Sequence, residues 1–177
     1  MRLHTVNLRR VGDYMTTLKS IWDGVFVIGI GATLLTDLWS ALLRHLGVAT
    51  LNYAMLGRWC MHWKSGIWFH ESIRDAASAP GEKLVGWILH YLTGVFFAML
   101  FVYMAEPRWI AVPTLGPALV FGGVTVLVPW LVLQPALGAG LASANTPHPW
   151  RSRATGLATH LVFGSGLYLC AKALTFF

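Results

Sequence analysis

Charge is scarce in this sequence. Only 11% of its 177 residues are Asp, Glu, Lys or Arg, while 56% are hydrophobic; an average soluble domain carries roughly a quarter charged residues. That shortage argues against an ordinary water-soluble globule. Cysteine is nearly absent too. Cys60 and Cys170 stand far apart and form no CxxC pair, which removes a disulfide framework and a thiolate metal site and leaves two inert apolar thiols. There is no basic block either. The 13 Lys and Arg outnumber 7 acids for a net charge of +6, but they are scattered between apolar runs. Basic residues flanking membrane spans, near anionic headgroups, account for them, and nucleic acid is not an expected partner. HExxH and GxSxG are missing, so zinc-protease and serine-hydrolase readings have no local motif. Gly29-x-Gly31 is a glycine pair inside an apolar run and reads as packing.

Long hydrophobic runs are what the chain has in quantity, together with nine Trp, a residue favoured at membrane interfaces. A helix needs about 20 apolar residues to cross hydrocarbon about 30 Å thick, because every backbone group must be bonded within the segment. Four stretches qualify: Gly24–Leu43, Leu84–Ala105, Val112–Leu141 and Ala154–Leu174. The third is too long for a straight perpendicular helix, so tilt or a kink at Pro129 and Pro135 is expected. The expected fold is therefore all-α: an integral membrane four-helix bundle spanning residues 21–177, preceded by a polar and basic tail over 1–20. The tail and first span have a signal peptide's charge order, but the apolar segment is too long and lacks a small-residue cleavage site. One long connection, Gly47–Gly81, mixes aromatic and basic residues in the manner of a segment lying in the interface, partly helical.

The charge count leaves the orientation close to balanced. Arg2, Arg9, Arg10, Lys19, Arg108 and Lys172 fall on one side; Arg44, Arg58, Lys64, Arg74, Lys83, Arg151 and Arg153 fall on the other. Counting from Met15 removes three of the first group and points the 47–81 connection to the cytoplasm.

Polar residues inside the spans carry the functional signal. Neighbouring spans are antiparallel, so Asp37 and Gln134 near the ends of spans one and three come level with His90 and His160 near the starts of two and four. Each lies ~9–10 Å inside the face that bears the long connection. Span two reads Gly86-x3-His90-x3-Gly94 and span four reads Gly156-x3-His160-x3-Gly164. Residues four apart share a helical face, and small residues at that spacing let membrane helices approach closely. The repetition in alternate spans hints at a duplicated two-helix unit. An Asp in hydrocarbon costs at least ~2.5 kcal/mol on insertion scales and marks function by default.

Several chemistries suit this set. Asp37, His90 and His160 form a two-His-one-carboxylate combination of the kind that holds zinc or non-haem iron. The two His could instead ligate haem from separate helices, with Arg58 or Lys83 meeting propionates. A membrane Asp with nearby His is also the material of a proton relay, although four helices are few for a transporter unless it forms a homo-oligomer. The bland reading is an interhelical hydrogen-bond network, at an average of only ~0.6 kcal/mol per bond a weak reason to keep an Asp there. The expected site is thus a small-ligand or metal pocket of Asp37, His90 and His160 with Gln134 as a hydrogen-bond partner. Arg58, His62 and His70 stand at its mouth. Whether the protein is an enzyme is open at this level.

At these residues the chain resembles a family of bacterial inner-membrane proteins catalogued only as a domain of unknown function. The matching pieces are GIGATLLTDLW around Asp37, LNYAMLGRW at 51–59, F-H-x-S-I at 69–73, GEKLVGWILHYLTG at 81–94, LQPALGAGLA at 133–142 and THLVFGSGLY at 159–168. They cover nearly everything after about Ile21, and the tail before Met15 looks like an extension. The resemblance implies a four-helix, multi-pass inner-membrane fold with the connection before His90 as a signature, and it implies no activity.

Overall fold

The computed structural model describes the backbone of residues 3–106 and 108–176, and the side chains of residues 22–106 and 108–176. Among these residues all regular structure is helical. The elements are α1 (Leu3–His45), α2 (Tyr53–His62), α3 (Glu82–Ala105), α4 (Arg108–Ala111), α5 (Leu115–Thr125), α6 (Gln134–Ala136) and α7 (Pro149–Leu174). A π-helical turn, Pro129–Leu133, joins α5 to α6. Four segments are long and apolar enough to cross a membrane: Trp22–His45, Glu82–Ala105, Leu115–Ala136 and Pro149–Leu174. The four-span helical bundle expected from hydropathy is the fold. Only 22–39% of each span is buried inside the protein, so most of its apolar surface faces outward, as a bilayer requires and water does not tolerate.

Local sequence explains where the boundaries fall. The first helix is continuous through the segment read as a tail; Arg2, Arg9, Arg10 and Lys19 lie outside the described side chains. The third span is shorter than the charge-free run suggests. Pro129 has no N–H and crowds the preceding turn, and the backbone answers with a π turn instead of a sharp break. The chain then leaves the helix at Gly138, whose φ of 88° would strain any side chain. A Cβ there would also strike the backbone of Glu71. The fourth span starts at Pro149, five residues before the expected Ala154, because proline at the first helical position has a preset φ and gives up an N–H with no partner anyway. Arg151 and Arg153 therefore belong to the first turns of α7.

The helices pack in the ring order α3–α1–α7–α5, with sequence neighbours antiparallel. Small residues set the distances. Gly29 of α1 lies on the backbone of Val95, Gly166 of α7 on Ala32, and Gly122 of α5 on Gly164. The α3–α5 side closes through aromatic rings, Phe97 and Phe101 against Phe121. The apolar core of Val25, Ile28, Ala32, Ala98, Phe101 and Leu167 fills the half of the bundle away from the long connection. The half nearer that connection holds the polar residues.

Residues 46–81 are built rather than loose. Asn52 caps α2 by accepting a hydrogen bond from the amide of Ala54 at 3.0 Å. The helix then runs antiparallel to the first turns of α3, backbone against backbone at Gly57 and Gly86. Beyond α2, the segment around 70–73 crosses to the far side of the bundle, where the amides of His70 and Ile73 donate to the carbonyls of Ala136 and Leu137. The long connection thus forms a cap over one end of the four spans.

Candidate functional site

Asp37 faces α3 from the last third of α1, and three donors meet its carboxylate. Nε2 of His90 lies 3.0 Å from Oδ1, the Tyr91 hydroxyl donates to Oδ2 at 2.9 Å, and the Tyr53 hydroxyl donates to Oδ1 at 3.4 Å. The Gly-x3-His-x3-Gly face explains the assembly. Gly86 lets the backbone of Tyr53 lie against α3, and Gly94 receives the side chain of Thr33 from α1. His90, one turn from each glycine, is therefore held between α2 and α1. Its ring stacks on that of Tyr53 with centroids 4.0 Å apart, and Trp87 closes over both. An ionised carboxylate only accepts hydrogen bonds, so His90 presents Nε2–H to Asp37. The other nitrogen, Nδ1, has no partner among the described residues. Burial first, and then the Asp37 carboxylate, hold the Tyr53 phenol above its ordinary pKa, so it remains a neutral donor. The side chains of Asp37 and His90 are only 14% and 18% exposed, which makes the three bonds the main compensation for burying a charge.

His160 does not join this group. It faces α5, where Nδ1 lies 2.8 Å from the Thr125 hydroxyl. That hydroxyl gives its single proton to the carbonyl of Gly122 at 2.6 Å. Nδ1 of His160 must therefore be the donor, and Nε2 keeps the lone pair. The glycines flanking His160 serve the α5–α7 contact, as those of His90 serve α3, with Gly164 against the Ala118 carbonyl and Gly156 beside the Trp130 indole nitrogen. Thr125→Val should leave the His160 N–H unpaired within the bilayer at a cost of about 1–2 kcal/mol. Thermal unfolding in detergent micelles would register it; an unchanged midpoint would assign the bond no weight.

The expected metal set of Asp37, His90 and His160 is consequently not assembled. Among the described residues no group of three or more His, Cys, Asp and Glu is placed to hold a metal ion. The physical reason is the pairing just given: Asp37 and His90 spend their facing atoms on each other, and His160 turns to another helix. The two imidazoles bond to different helices, His90 to Asp37 of α1 and His160 to Thr125 of α5. Gln134, the expected hydrogen-bond partner, begins α6 with its side-chain oxygen buried and unbonded. It makes no bond to Asp37 or either His.

The residues expected at the mouth have internal partners. Arg58 forms a two-pronged ion pair with Glu82, Nε to Oε2 and NH2 to Oε1, both at 2.8 Å. Its NH1 donates to the carbonyls of Ile73 and Ala76, each at 2.9 Å. His62 donates from Nε2 to the Ala77 carbonyl at 3.0 Å, so its Nδ1 accepts from Nε2 of His70 at 2.8 Å. Nδ1 of His70 is buried without a partner. These three side chains bind the cap together.

Tyr53, Tyr91 and Thr125 are the site residues that spacing did not single out. Tyr91 is adjacent to His90, ~100° around the helix, close enough for the two to straddle one carboxylate. Tyr53 could have been found from the Gly57–Gly86 contact only with α2 already in place.

No curated protein and no solved structure matches the chain. One family model does, over residues 26–174, and its description is "Protein of unknown function (DUF2938)". With four membrane-length helices and a matched region that takes in every residue of the Asp37 cluster, this chain belongs to the DUF2938 family of unknown function.

Proposed function

We propose that Asp37 and His90 form the proton-binding site of a small proton-coupled protein of the bacterial inner membrane, with the cap facing the cytoplasm. The observation that carries this reading is the asymmetry of His90. One ring nitrogen is locked on a membrane carboxylate shared with two tyrosines, and the other is left as an acceptor. Proton uptake at His90 Nδ1 turns a site of net charge −1 into a neutral imidazolium–carboxylate pair. Such a change inside a bilayer is large enough to bias helix packing. Tyr53 ties that change to α2 and so to the cap, which is the feature a transporter or proton sensor needs and a purely structural network does not.

Nitrogen-15 NMR of histidine-labelled protein in lipid bilayers tests this directly across pH 5–8, the window in which imidazoles change charge. Among the signals of the seven histidines, the one that His90→Gln removes should convert to imidazolium, and Asp37→Asn should suppress that conversion. In proteoliposomes Asp37→Asn should also abolish pH-dependent flux. A His90 resonance that stays neutral throughout, or ignores Asp37→Asn, would sink the proposal.

A further inference from the structure

We infer that the outer groove between α5 and α7 is a binding site for one anionic phospholipid. The groove holds a cavity of about 530 Å³ lined by residues that include Leu119, Val120, Gly123, Leu127 and Leu161. It continues into a second cavity of about 350 Å³ at the cap-side end; Trp130 and Leu157 line both. Gly123 contributes no side chain to the groove wall, and the π turn that begins at Pro129 carries Trp130 into its lining. From Leu119 to Trp130 the apolar stretch rises ~16 Å, which matches the ~15 Å depth of one leaflet's hydrocarbon.

The end of the groove nearest the cap is of opposite character. Arg153 lines it, one turn into α7 and so close to the cap-side end of the fourth span. Its Nε donates to the Ala142 carbonyl at 2.7 Å, and its guanidinium lies over the Trp150 ring, 4.7 Å from the centroid. Those two contacts fix the group in place and leave both terminal nitrogens without a hydrogen bond among the described residues. No carboxylate pairs with it: the only ion pairs among those residues are Arg58–Glu82 and His90–Asp37. Nor is one available nearby in sequence, since residues 107–177 contain no Asp or Glu at all. A rigid guanidinium fork without an internal anion, set at the mouth of a leaflet-deep apolar groove, matches a lipid phosphate with an acyl chain below it.

Native mass spectrometry of the detergent-purified chain, with phosphatidylglycerol and phosphatidylethanolamine of identical acyl chains, decides the matter. One phosphatidylglycerol adduct should survive with roughly fivefold preference over phosphatidylethanolamine, the weight of one basic group near an anionic headgroup. Arg153→Gln should erase that preference. Gly123→Leu fills the apolar part without touching Arg153 and should weaken both adducts, so the test stands even if Arg153→Gln fails to fold. Equal binding of the two lipids by the unmodified chain, or binding indifferent to Gly123→Leu, overturns the proposal.

Discussion

Replacing Arg58 with alanine should release the cap and lower stability by about 2–4 kcal/mol, one of the two largest effects expected in this protein. Removing one member of a buried, hydrogen-bonded ion pair typically costs about 3–5 kcal/mol, because the partner is left charged and dry. Here the side chains of Arg58 and Glu82 keep 13% and 15% exposure, so some solvent reaches the abandoned carboxylate and the loss falls about 1 kcal/mol short of that range. Glu82 would retain only the Ala79 amide, at 2.9 Å from Oε2, and the carbonyls of Ile73 and Ala76 would lose a charged donor. The damage should be local at first. Limited proteolysis within residues 66–80 should accelerate by roughly one and a half to three orders of magnitude, since each 1.4 kcal/mol is a tenfold change in an opening equilibrium. Arg58→Lys should recover part of the loss, as an ammonium keeps the charge but cannot reproduce the fork. Unchanged cleavage in Arg58→Ala would show that the cap is held by its apolar contacts instead.

Gly86→Leu should separate α2 from α3 and dismantle the Asp37 site with them. A Cβ at position 86 falls on the Tyr53 carbonyl, and one at Gly57 falls on the Glu82 carbonyl. In both cases the obstacle is backbone, which cannot rotate away as a side chain does. Overpacking typically costs about 1–3 kcal/mol where the surroundings can yield; two helices that must part should exceed this. Tyr53 would then lose both its bond to Asp37 and its stacking on His90. Gly116 in α5 supplies the control, because a Cβ there meets nothing within 4 Å, and Gly116→Ala should leave stability within about 0.5 kcal/mol of the starting protein. Thermal unfolding of the three proteins in one detergent, with near-ultraviolet circular dichroism reporting the Tyr53–His90–Trp87 stack, separates these outcomes. Equal unfolding midpoints for Gly86→Leu and Gly116→Ala would contradict the close α2–α3 contact.

The duplicated unit hinted at by the two glycine-flanked histidines has a counterpart in the packing. In each half of the chain a His bonds a polar side chain on the preceding span, and glycines on either side admit neighbouring groups. The halves differ in what the His meets. Asp37 gives the first half a charge to manage, whereas Thr125 in the second half is a neutral relay to a carbonyl. The long connection, which belongs to the first half alone, supplies Tyr53 to the charged version.

Hydropathy and helical period are sufficient to place the four spans, the irregular turn at Pro129, and the glycine faces around His90 and His160. These are one-dimensional properties: about 20 apolar residues must become a helix in a bilayer whatever lies beside them. The fourth span starts at Pro149, five residues before the edge that charge marks, because proline capping and not charge sets the helix start. The partners of the polar groups are another matter. Spacing within a helix tells which residues share a face, but not which helix that face meets or at what rotation. Asp37 therefore finds His90, Tyr91 and Tyr53, while His160, at a comparable distance along its own span, finds Thr125. Arg58 illustrates the same limit in the cap, where basic character suggests a ligand and the folded chain supplies Glu82 and three carbonyls instead. Membrane insertion follows from composition summed along the chain; the chemistry of the site follows from contacts between residues up to 54 positions apart, which only the packed bundle brings together.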